Sequence, residues 1–204
     1  MSGFGITALL REVHLHRDEL VELDGEVVPK SAAMLMSVLE RESDSNVRFQ
    51  LYLHAVGECS ITGRTAAAVK LAHAQYQEFR DFASLMTYSE ALAENGDVEA
   101  GVSRAKEALE LAIQVQTGVN YAAENLVRQA IKTGSAEVVN EALDALADST
   151  EAPRKGDCEL DADWADAAEA LGADKELISW VRAIAERSVT FQGNSKRPRL
   201  AIDD

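Results

Sequence analysis

The sequence is poor in the residues that staple or interrupt a fold. Cys59 and Cys158 are the only two cysteines among 204 residues. They lie far apart, without CxxC or histidine-flanked spacing, so neither a disulfide framework nor a zinc centre is expected. Both are read as reduced thiols of a cytoplasmic protein. The three prolines (Pro29, Pro153, Pro198) leave residues 30–152 free of that helix breaker. The β-branched runs that mark central strands are missing. No stretch approaches 18 apolar residues, so no membrane span is expected. In MSGFGITALLREVHLHRDEL charges stand where a signal core would be apolar, so secretion is not expected. Basic residues are scarce as well: 20 Lys and Arg face 35 Asp and Glu, a net charge of −15. Duplex binding draws its affinity from phosphate neutralisation, so nucleic acid is not an expected partner, nor is an anionic membrane surface.

What remains is a chain that is 47% hydrophobic, which excludes wholesale disorder, and long enough to bury about 70% of its unfolded surface. Alanine is abundant, and apolar residues recur at steps of three and four. After Asn95, the residues Val98, Val102, Ala105, Leu109, Ala112 and Ile113 share one stripe, while Glu99, Lys106 and Glu110 face away. The expected class is all-α. Glycines punctuate it at Gly63, Gly96, Gly134 and Gly172, spaced 33, 38 and 38 residues apart. Each follows a helical run and precedes a residue type that caps a new helix: Thr65, Asp97, Ser135 or Asp174. Two helices fit in each interval. The pattern predicts an α-solenoid of antiparallel helix pairs, with an antiparallel helical bundle as the alternative.

Around the Gly96-Asp97 turn, the small residues Ser89, Gly101 and Ala108 are separated by 12 and then 7 positions. The stretch ALAENGDVEAGVSRAKEALELA resembles a tetratricopeptide (TPR) repeat. It departs from the family at Leu85, Leu92 and Ala105, where aromatics are usual, and at Ile113, where a closing proline is common. Flanking segments, roughly 49–81 and 120–148, keep the turn glycine and the period. The expected organisation is an N-terminal helical segment (1–48), TPR-like helix pairs (49–148), an acidic connector (149–163), capping helices (164–190) and a flexible tail (191–204). Residues 19–28 carry two signals. Alternation around Asp24-Gly25 is that of a hairpin, while Ile6, Leu9, Leu10 and Val13 share a helix face that could run on to Leu23. The helix is preferred, because an isolated two-stranded hairpin is marginal.

Catalytic and metal signatures are missing. Asp157, Glu159, Asp161 and Asp163 alternate like a calcium loop but lack its glycine and its closing glutamate. His14 and His16 point apart on a helix, and His54 and His73 have no ligand companions at local spacing. There is no GxSxG, GxxxxGK[ST], GxGxxG or HExxH. Neither catalysis nor a cofactor is expected. The span 137–176 holds 13 acids against Arg154, Lys155 and Lys175, and SKRPRL (195–200) is the one basic run.

In TPR proteins the first helix of each pair lines a groove that takes a peptide or a partner's helix. The resemblance therefore implies a protein or peptide partner, favoured if basic, at Gln50, Leu53, Met86, Glu90, Tyr121, Glu124, Arg128 and Lys132. Tyr121 and Arg128 are the residue types enriched in hot spots. The alternative function is an acidic inhibitor or immunity-type protein covering a basic active site, and the third is an enzyme without local motifs. The oligomeric state stays open, and an exposed apolar edge would favour a dimer.

Overall fold

The computed structural model describes residues 3–149 and 162–185. The acidic connector up to Asp161, with Cys158, and the tail with SKRPRL lie outside the described residues. The described chain is mainly helical and divides into two compact units, Met1–Asp97 and Val98–Asp204. The first holds α1 (Gly3–Val13), a 3-10 turn (His14–His16), β1 (Leu20–Leu23), β2 (Glu26–Pro29), α2 (Lys30–Leu39), α3 (Ser45–Ile61), α4 (Thr65–Phe79) and α5 (Phe82–Glu94). The second holds α6 (Val98–Val115), α7 (Val119–Lys132), α8 (Ala136–Ser149), α9 (Ala162–Ala170) and α10 (Lys175–Ala185). The TPR-like stretch is thus divided, α5 closing the first unit and α6 opening the second.

In the first unit α2 packs on α3, α3 on α4 and α4 on α5, and α3 also reaches past α4 to touch α5. In the second, α7 packs between α6 and α8 and touches α9, while α10 packs on α9 and touches α8. Thus α3, α7 and α8 each touch the helix two places further on. Side chains small enough for close approach line the seams. Ala55, Ala68 and Ala72 are fully buried in the first unit, and Ala105, Ala108, Ala112, Ala122, Ala123 and Ala130 in the second. The stripe predicted for α6 is buried at Val102, Ala105, Leu109 and Ala112, but Ile113 is exposed. It lies in the last turn, beyond the seam.

The turn glycines end helices as their spacing predicts. Gly96 adopts φ +92°, its N–H donates to the Ala93 carbonyl, and the Asp97 N–H donates to that of Leu92. That is a Schellman closure of α5, and Gly63, Gly134 and Gly172 take the same left-handed conformation after α3, α7 and α9. A Cβ at Gly96 would meet open space, so the penalty for Gly96→Ala is conformational: about 1–2 kcal/mol in urea unfolding. Two of the predicted caps are seen. Asp174 accepts the N–H groups of Glu176 and Leu177, and Ser135 accepts that of Val138. Thr65 is not a cap. It is the first residue of α4, and its hydroxyl donates to Asn95 Oδ1 at 2.9 Å.

The N-terminal segment departs from the preferred prediction. The first helix stops at Val13, and residues 20–29 form the hairpin, with Val21 opposite Val28 and Leu23 opposite Glu26. Asp24 (φ +50°) and Gly25 (φ +79°) make the two-residue turn that suits the strand twist. No third strand is needed, because the face carrying Val21, Leu23 and Val28 joins the apolar cluster of α2, α3 and α4. Tertiary packing supplies what the isolated hairpin lacks.

Candidate functional site

The predicted partner-binding residues fall four to each unit. On α3, Gln50 and Leu53 are exposed, and they belong to a longer open stripe. Asn46, Gln50, Leu53, Gly57 and Ile61 follow at helical spacing, with Leu53 38% and Ile61 66% exposed. Gly57 sits in this stripe with nothing within 4 Å of where a Cβ would stand. Met86 and Glu90 on α5 are half-buried, because α5 is covered on most of its circumference.

On α7 the predicted face is partly taken by the chain itself. Tyr121 is 50% exposed and Lys132 is exposed, but Glu124 is only 3% exposed and cannot line an open surface. The Arg128 guanidinium lies over the Trp164 ring of α9, its Cζ 4.9 Å from the ring centroid. The connector between α8 and α9 separates these two residues in sequence, so local spacing could not reveal the pairing.

The densest polar cluster is one that local motifs missed. Glu58 on α3 is 2% exposed, yet its carboxylate makes four close polar contacts. Oε1 meets Arg17 Nη2 at 2.7 Å and His14 Nδ1 at 2.7 Å, while Oε2 meets Arg17 Nε at 2.8 Å and Ser31 Oγ at 2.8 Å. Arg17 Nη2 also hydrogen-bonds His14 Nδ1 at 3.1 Å. The Arg17 guanidinium, helped by the Ser31 hydroxyl and against the effect of burial, holds the Glu58 carboxyl down at about 2.

These groups are poorly suited to acid–base work. Glu58 has its lone pairs committed and sits far below the range of a general acid or base near neutrality. Burial pushes the neighbouring Cys59 thiol up to about 12, so it is not a ready thiolate. His54 is pushed down by burial and by nearby His14. Arg48 makes a second anchored pair, donating to Glu78 through Nε at 2.6 Å and Nη2 at 2.8 Å. Its Nη1 binds the Leu39 carbonyl at 2.7 Å and the Glu42 carbonyl at 2.9 Å, which ties α3 to the end of α2. Among the described residues no group of three or more His, Cys, Asp or Glu side chains is placed to hold a metal ion. None of the described helices is long and apolar enough to cross a membrane. No family model, curated protein or solved structure matches this chain.

Proposed function

We propose that this chain is a non-catalytic, TPR-like interaction module that binds a peptide or helix of a partner protein. The observation that carries this reading is the open stripe of α3, where Leu53 and Ile61 stand exposed on a helix that buries Leu51, Ala55 and Cys59 on another face. In the other unit, taken by itself, Tyr121 is an exposed aromatic residue on α7. The helix-pair layering within each unit supports the reading, since α3 touches α5, α7 touches α9, and α8 touches α10. The net charge of −15 favours a basic partner.

The test is retention of partners from the source lysate, eluted in salt steps. A protein held beyond about 0.5 M salt indicates apolar contact, because exposed charge pairs are screened within about 8 Å at physiological ionic strength. Leu53→Ala with Tyr121→Ala is expected to weaken the purified partner about tenfold or more, as truncation of aromatic anchors does. These positions are preferred to Arg128, whose removal would also strip the Trp164 contact. Unchanged binding by the double variant overturns the assignment of the site. A basic protein released at low salt favours the acidic inhibitor instead.

A further inference from the structure

Residues 3–29 are attached to the helices behind them in an uneven way. Their apolar hold is thin. Val13 and Val28 are fully buried, whereas Ile6, Leu9, Leu10, Val21 and Leu23 are only partly covered, and Leu15, Leu20 and Val27 face solvent. By contrast Leu35, Leu39, Val47, Leu51, Tyr52, Val56 and Leu85 are buried within α2, α3 and α5. The helix contacts α2–α3, α3–α4 and α4–α5 involve no residue of the N-terminal segment.

Among the described residues, the buried polar hold centres on Glu58. Arg17 and His14 both reach the buried Glu58 carboxylate, and Ser31 at the start of α2 fills its remaining site. The other pairs at this boundary, Lys70 with Glu26 and Lys30 with Glu19, are surface pairs, and such pairs contribute little. A segment with few buried apolar contacts is the kind that opens locally while the rest stays folded. Among the described residues, Glu58 is the buried polar group that ties this segment to α3.

We propose that residues 3–29 are a strap latched by Glu58, which opens as one unit while α2–α5 remain folded. Opening breaks the Arg17 and His14 contacts and uncovers the apolar cluster of α2, α3 and α4 that Val13 and Val28 complete.

Hydrogen exchange of the full chain, read by peptide mass spectrometry, tests this in Arg17→Ala and in the milder Ser31→Ala. Amides of residues 6–29 are expected to exchange at least about tenfold faster in Arg17→Ala, and to a lesser degree in Ser31→Ala. Those of α4 and α5 keep their rates. Acceleration spread evenly over residues 6–94, or none in either variant, overturns the proposal. Should Arg17→Ala fail to fold, Ser31→Ala decides on the same peptides.

Discussion

Leu51→Ala is expected to cost about 3 kcal/mol, within the 2–5 kcal/mol typical of a buried leucine truncated to alanine. Leu51 is fully buried on α3, which packs on α2 and α4 and also touches α5. Its side chain thus sits in a core that several elements share. The cost has two parts: the apolar surface no longer removed from water, and the cavity left when a close-packed surround cannot collapse. Collapse is hindered here because the neighbouring seam is already lined by alanine, at Ala55, Ala68 and Ala72, so there are few long side chains to swing into the void. Ile61→Ala on the exposed stripe of the same helix serves as the control and should stay within about 0.5 kcal/mol. In urea, followed by circular dichroism at 222 nm, the Leu51→Ala midpoint should fall by at least about 1 M, given slopes of about 1–3 kcal/mol per molar. Equal midpoints for the two variants would show that α3 is not the centre of the first core.

The helices were legible because each signal for them is local. The α6 stripe, the turn glycines and the caps at Ser135 and Asp174 all act within a few residues, and tertiary packing agrees with them. Ile113 was placed on the wrong side because periodicity extends a stripe without showing where the seam ends. At residues 19–28 the Asp24-Gly25 signal was right. The argument against it, that two strands alone are unstable, failed because the hairpin is not alone: its inner face packs on helices.

The candidate site was legible only in part. Leu53 and Tyr121 stand open where the resemblance implies, but Glu124 and Arg128 are engaged by the second unit's own packing, which no local spacing encodes. The Glu58 cluster brings to α3 His14 of the 3-10 turn, Arg17 just after it and Ser31 of α2, with Arg17 41 and Ser31 27 positions from Glu58. A faint signal did exist: Glu58 lies three residues after Ala55 and seven after Leu51, an acid on the buried face of α3. Such a residue must have a partner, since an unpaired charge could not remain there. Which residue supplies it depends on the hairpin turning the chain back.

Acid is expected to weaken the fold through Glu58. Its carboxyl is held at about 2 in the native state by Arg17, Ser31 and nearby His14, against about 4.3 in an unfolded chain. The folded state therefore resists taking up this proton. The stabilisation is fully present above the unfolded value and is lost as the pH falls from about 5 towards 2. A depression of this size corresponds to about 3 kcal/mol. Glu19, Glu42 and Glu78 are also lowered and act in the same direction, so the absolute acid profile mixes several groups. Comparison with Glu58→Gln isolates the one, because the others are retained in both proteins. The glutamine keeps the shape and can still accept from Ser31, but it leaves the Arg17 charge without its carboxylate. The variant should be less stable by about 2–3 kcal/mol at pH 7. That gap should narrow by about half as the pH is lowered from 5 to 3 and close towards 2, because the wild-type loses the interaction that the variant never had. Urea midpoints taken at intervals over this range measure the difference directly. Parallel profiles for the two proteins would show that Glu58 gains nothing from its ionised form, and with that the ion pair would cease to explain why an acid is buried on α3.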